Sequence, residues 1–169
     1  MNFLNLQSKV AALISAHATF KDAADDTVCQ DLGDKKSFIE ASLDISTDPT
    51  GDGYAISVWP PARGHSDSEA GGATGVDALV VVRFEVNPEM LKKLDPLPNL
   101  PDGTKQDAST IWLNTRIKDI VNAVLSAPPE VGGVKFQLAA DAFELVNFDE
   151  GLVAYHIRFS RFVVFGIGI

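Results

Sequence analysis

The chain of 169 residues has the length of one domain with a hydrophobic core of its own. Its 46% hydrophobic and 22% charged residues, with a mean hydropathy of +0.08, are typical of a folded globular protein and exclude a disordered one. The formal charge of −9, from 14 Lys and Arg against 23 Asp and Glu, excludes a protein that wraps nucleic acid, because phosphate binding depends on basic side chains. Cys29 is the only cysteine, so neither an intramolecular disulfide nor a cysteine-based zinc cluster can form.

The first 20 residues favour a helix. Their apolar side chains recur at helical spacing, which predicts an amphipathic helix over residues 3–20 with His17 at its boundary. The stripe consists of Phe3, Leu6, Val10, Leu13 and Ile14. The segment has no basic start and no unbroken apolar block, so it predicts neither a signal peptide nor a membrane span, and we expect synthesis in the cytoplasm.

Three strands follow by alternation of apolar and polar residues. They are predicted within 37–46, 54–59 and 77–87, and the last two end at prolines, which cannot donate to a sheet ladder. In the third strand Val80, Val82, Phe84 and Val86 share one face, and Arg83 and Glu85 lie on the other. The residues 88–94 predict a short helix.

A second amphipathic helix is predicted over residues 109–127, with Ser109 capping its start and Pro128 preventing its continuation. Two or three further strands are predicted at 134–138, 143–148 and 152–165. Together these elements predict a single α+β domain over residues 1–169, with a mostly antiparallel sheet and two main helices on one face. The other face is expected to be wetter.

The stretch Trp59–Gly72, WPPARGHSDSEAGG, places His65, Ser66 and Asp67 in a row beside glycines. Adjacent residues in a loop point in different directions, so they do not predict a catalytic triad, and no G-x-S-x-G or P-loop motif surrounds them. Residues 60–76 are instead a long connection between two strands, where hairpin loops usually have ~2–5 residues. We interpret these residues, which we call the arm segment, as a β-hairpin loop that either lies against something else or stays mobile, because its Gly, Ser and Ala side chains cannot bury it. Its candidate contact residues are Pro61, Arg63, His65, Asp67 and Glu69.

The sequence predicts no catalytic residue, no cofactor and no metal site. The three histidines lie far apart, no H-E-x-x-H pair is present, and the segment 47–53 lacks the residue order of a calcium loop. At the C-terminus the apolar run RFVVFGIGI either completes the domain's own sheet or contacts another copy. The candidate contact residues there are Phe162, Val164, Phe165 and Ile167.

The order of elements resembles that of the small tail terminator and tail-completion proteins of long-tailed bacteriophages. The local resemblance is carried by the strand ALVVVRFEVNP, which ends in Glu-x-Asn-Pro, by the loop DGTKQDAS and by the helix IKDIVNAVL. The connector EMLKKLDPLPNLP departs from the pattern expected there. The resemblance covers most of the chain as element order.

This resemblance implies a structural, non-enzymatic protein of the virion tail or neck. Such proteins form rings, typically hexamers, that cap the tail tube and join it to the head connector. The expected partners are therefore further copies of the chain, the tail tube protein and the connector proteins. The resemblance also implies that the arm segment is an inter-subunit arm or a docking element. DNA passes through the lumen without specific binding, which suits a negatively charged chain.

Two alternatives remain open at this point. The first is another neck, head-completion or baseplate component. The second is a small non-viral ligand-binding or hydrolase domain of α+β fold, which would need a pocket that gathers polar groups such as Glu144, His156 and Arg158.

Overall fold

The computed structural model describes residues 5–21, 37–40, 53–59, 62–63, 69–70, 73–94, 108–128, 135–147 and 153–164. The helices are α1 (Asn5–Ser15), α2 (Pro88–Leu94) and α3 (Ala108–Leu125). The strands are β1 (Ser37–Glu40), β2 (Tyr54–Val58), β3 (Ala62–Arg63), β4 (Glu69–Ala70), β5 (Ala73–Val86), β6 (Gln137–Asn147) and β7 (Val153–Val164).

All described strand pairs are antiparallel and form one sheet in the order β1-β2-β5-β7-β6, with β3 and β4 also pairing with β5. Strand β5 lies at the centre because its 14 residues are long enough to pair with β7 on one side and with β2 and β3 on the other. The predicted α+β class with a mostly antiparallel sheet is confirmed.

One face of the sheet, which we call the helix face, is covered by α1 and α3. Alternate residues of β5, from Ala78 to Val86, are fully buried there. They share one apolar core with Leu6, Val10 and Ile14 of α1 and with Ile120 and Val124 of α3. This confirms the predicted helix stripe at Leu6, Val10 and Ile14 and the predicted buried face of β5.

An aromatic chain joins both helices to this face. The ring of Phe20, just beyond α1, lies 6.0 Å from that of Tyr54 on β2, which lies 5.7 Å from Phe84 on β5. Trp112 of α3 stacks on Phe84 at 6.0 Å. Rings at these distances add to the stability that their burial provides.

Polar contacts fix the two helices relative to the sheet and to each other. Gln7 donates from Nε2 to the Val58 carbonyl at 2.8 Å, and the Thr19 hydroxyl donates to the Asp119 carboxylate at 2.6 Å.

The predicted helix over 3–20 is too long: α1 ends at Ser15, and tight i→i−3 turns through His17 bring Phe20 into the core. Residues 3 and 4 lie outside the described residues.

The Asn-Pro dipeptide after β5 is a helix start. The Asn87 side chain accepts from the Glu89 backbone N–H at 2.9 Å, and Pro88 occupies the first helical position, where its missing N–H costs nothing. The Asn87 backbone N–H donates to the carbonyl of Gly53, which has a positive φ of 62°.

The predicted cap of the second main helix is wrong, because α3 already begins at Ala108, one residue before Ser109.

The connection between β2 and β5 contains more sheet than predicted. Strand β5 begins at Ala73, and Ala62 and Arg63 pair with Leu79 and Ala78. A loop over all of 60–76 is therefore wrong. Glycine- and alanine-rich sequence reads locally as a turn, but pairing from Gly75 onward with β7 extends the strand.

At the other edge, β6 is one strand where two were predicted. Leu138 pairs with Phe159 and Phe143 with Ile157, so residues 139–142 lie opposite Arg158 alone and form an irregular β-bulge.

Candidate functional site

The face of the sheet opposite the helices carries a row of three polar side chains. Arg83 of β5 lies directly opposite His156 of β7, and His156 lies directly opposite Glu144 of β6. His156 Nδ1 is 3.5 Å from a Glu144 carboxylate oxygen. With Arg158, two residues along β7, these residues form what we call the polar cluster. The cluster therefore spans three neighbouring strands.

Arg158 ties the polar cluster to the β-bulge. Its guanidinium donates to the Asp141 carbonyl at 2.9 Å and forms an ion pair with Glu144. The Asp141 carboxylate also lies 3.8 Å from the same guanidinium. A bulge leaves ladder groups without strand partners, and here the Arg158 side chain on the opposing strand supplies a donor to one of them, the Asp141 carbonyl.

His156 is the group of the cluster that titrates nearest to neutral pH. Burial, and secondarily the positive charge of Arg83, lower the pKa of His156, while the hydrogen bond with Glu144 acts in the opposite direction. The Trp59 ring covers it at a centroid distance of 6.0 Å. The imidazole is thus held in its neutral form at neutral pH.

Glu144 is ionised in this setting. Its hydrogen bond and charge interaction with Arg158 lower the pKa of its carboxyl group. Nearby on β5, Arg83 Nε lies 2.5 Å from a Glu85 carboxylate oxygen. The Glu144 carboxylate therefore has Arg158 beside it, and Glu85, just outside the cluster, has Arg83 beside it. This arrangement clamps β6 to β7 through charge-assisted hydrogen bonds.

The expectation of a wet second face holds only in part. The side chains of Arg83, Glu85, His156 and Arg158 are each only about one fifth exposed, between 18% and 21%. These long charged side chains lie along the sheet toward their partners. They cover one another and the small residues between them, such as Ala154, which is 0% exposed.

A second surface lies on strand β6. Leu138, Phe143 and Leu145 are 37%, 56% and 55% exposed. Their strand partners Phe159, Ile157 and Tyr155 place them on the helix face. We call these three residues the apolar edge. Among the described residues, β6 has a strand partner only in β7, so the apolar edge belongs to the border of the sheet.

The candidate arm residues are only partly described. Arg63 and Glu69 lie in β3 and β4 and pair with Ala78 and Thr74 of β5 in the same chain. Pro61, His65 and Asp67 lie outside the described residues. The arm segment is therefore anchored to its own sheet at two points, and its proposed contact with another subunit remains a prediction.

The candidate C-terminal contact is divided in the same way. Phe162 lies opposite Asp77 and Val164 opposite Gly75, so the chain completes its own sheet as far as Val164. Phe165 and Ile167 lie outside the described residues.

Sequence reasoning grouped Glu144, His156 and Arg158 correctly, but as an alternative and without the bulge. It missed Arg83 and Trp59 as their neighbours, because these come from strands far away in sequence. It also missed the apolar edge, for alternation shows which residues share a face but not whether a helix covers them.

Within the described residues, no three His, Cys, Asp or Glu side chains are placed to hold a metal ion. None of the described helices is long and apolar enough to cross a membrane. In comparisons with known proteins, the chain matched no family model, no curated protein and no solved structure.

Proposed function

We propose that this chain is a structural protein of a bacteriophage virion, a tail terminator or tail-completion protein without enzymatic activity. Copies of the chain form a ring, a hexamer in our proposal, that caps the tail tube and joins it to the head connector. The protein is made in the host cytoplasm and resides in the tail or neck of the particle.

The observation that carries this proposal is the apolar edge. Phe143 and Leu145 each leave more than half of their surface in water on a border strand of an acidic chain. Exposed apolar side chains grouped on a sheet border are typical of protein–protein contacts. Apolar surface is unfavourable in water, and an open strand edge can pair with another strand, so a partner that covers both is stabilising.

The polar cluster supports a structural role as well. Its Arg158 forms an ion pair with Glu144 between β7 and β6 and donates to the bulge backbone, while Arg83 forms an ion pair with Glu85 along β5. These contacts stabilise the strand that presents the apolar edge. The net charge of −9 fits a ring through which DNA passes, since a negative lumen repels phosphates.

The test is assembly of the full-length protein, followed by multi-angle light scattering and electron microscopy, alone and with tail tube protein from the same phage. We expect a closed ring, either in solution or on the end of the tube. The matched variants are Phe143→Ser, which removes the exposed contact, and Ile111→Ser, which changes a similarly exposed apolar residue on α3 (47%). A chain that stays monomeric at high concentration and with tube protein present contradicts the proposal.

A second candidate is a small ligand-binding or hydrolytic domain that uses the polar cluster. The observation in its favour is that Glu144, His156 and Arg158 do lie together on one face. Alanine at these three positions then abolishes binding of a small molecule and leaves assembly unchanged. If the cluster is structural, the same substitutions destabilise β6, and no ligand is lost.

A further inference from the structure

The apolar edge and the C-terminus have matching chemistry. Beyond Val164 the chain continues with Phe165-Gly166-Ile167-Gly168-Ile169, in which large apolar residues alternate with glycine. We call these five residues the tail. A segment with this alternation can present all its side chains to one side as a strand, and its glycines allow close backbone approach on the other.

Residues 165–169 cannot reach Phe143 or Leu145 of the same chain. Val164 pairs with Gly75, while Phe143 pairs with Ile157, so the difference 164 − 157 puts Phe143 seven residues back along β7. Seven residues of strand span about 23 Å, and Leu145, opposite Tyr155, lies farther still. Five extended residues reach at most about 18 Å, even if the chain reverses direction at once.

We infer that the tail of one copy adds to β6 of a second copy as an edge strand, with Phe165 and Ile167 against Phe143 and Leu145. Strand addition supplies backbone hydrogen bonds, and the alternate apolar side chains supply specificity. The donor and acceptor surfaces are different parts of the chain, so each contact is head-to-tail and can repeat around a ring. This inference rests on the proposed function for its biological role.

The first test uses a labelled synthetic peptide of residues 163–169 and the full-length chain with its own tail disabled by Phe165→Ser, Ile167→Ser and Ile169→Ser. We expect saturable binding by fluorescence anisotropy. Adding Phe143→Ser and Leu145→Ser should weaken binding at least about tenfold, since two large apolar contacts are lost. Adding Ile111→Ser instead should leave the affinity unchanged. Equal affinity with and without the β6 substitutions, or no binding at peptide concentrations up to about 1 mM, overturns the inference.

The second test is complementation between two full-length variants. The tail variant keeps an intact β6, and the β6 variant keeps an intact tail. Each alone should be monomeric, and an equal mixture should form a heterodimer and nothing larger, because only one intact contact remains per pair. Absence of the heterodimer contradicts the inference. Rings that form on tail tubes with the β6 variant would refute the inference and leave the proposed function standing. Peptide binding without ring formation would support the inference and contradict the proposed function.

Discussion

Two phenylalanines in the same sheet provide a direct test of the assigned surfaces. Phe84 on β5 is fully buried in the aromatic chain, and Phe143 on β6 is 56% exposed. Both face the helix side of the sheet, so the substitutions Phe84→Ala and Phe143→Ala remove the same atoms from the same kind of strand. The two sites differ only in how deeply the ring is buried.

The expected losses differ severalfold. Deleting a buried phenyl ring in a core costs about 3–5 kcal/mol, because the transfer energy and the energy of the cavity are both lost. For a chain of this length that lowers the melting temperature by roughly 6–20 °C. Phe143 buries less than half of its surface, so its removal costs about 1 kcal/mol or less.

The assay is urea denaturation followed by circular dichroism, with self-association measured on the same samples. Phe84→Ala should lower the free energy of unfolding and leave association of the folded fraction unchanged. Phe143→Ala should leave the free energy of unfolding nearly unchanged and weaken self-association. Equal destabilisation by both substitutions would falsify the assigned register of β6, because a slip of one residue moves Phe143 to the other face.

The polar cluster gives two further predictions. The pKa of His156 is lower in the folded chain than the ordinary value of 6.5, so below pH 6.5 the unfolded chain binds more protons and stability falls until the folded pKa is passed. Urea midpoints measured across this range should show that fall, and His156→Gln should flatten it; an unchanged slope in the variant contradicts the assignment. Arg158→Ala should raise the pKa of Glu144 toward its ordinary value of 4.5 and speed amide exchange in residues 139–142, whereas Arg83→Ala should leave that exchange unchanged. NMR titration and hydrogen exchange measure both effects, and a bulge that stays protected without Arg158 contradicts its role as a clamp.

The sequence was informative where one physical signal dominated. In β5, period-two alternation over a long segment and a terminal proline predicted both the strand and its buried face. Residues 88–94 likewise predicted the short helix α2, and Asn87, which caps it in the structure, is its immediate neighbour. Both signals are contained within a few neighbouring residues, so no tertiary contact is needed to interpret them.

The errors came from contacts between distant residues. Helix α1 ends at Ser15 because Phe20 is drawn toward Tyr54, and the start of β5 at Ala73 depends on its pairing with β7. The gap between the two predicted C-terminal strands is a bulge because Arg158 lies opposite it. None of these partners is near in sequence. The exposure of the apolar edge depends on where α1 and α3 stop covering the sheet, which the alternation of β6 does not encode.

The β-bulge links the two candidate surfaces. Before it, paired residues of β6 and β7 have numbers that sum to 297, as in Leu138 with Phe159; after it they sum to 300, as in Phe143 with Ile157. Without the shift of three, residue 143 would lie opposite Ala154 and face the polar side, and Glu144 would face the helices. The bulge reverses both orientations at once. It places Glu144 beside His156 and Arg158, and it places Phe143 and Leu145 on the border of the helix face. Because Arg158 also donates to the bulge carbonyl of Asp141, the contact that completes the polar cluster supports the backbone geometry that exposes the apolar edge. The polar cluster therefore affects the apolar edge indirectly, by fixing the position of β6.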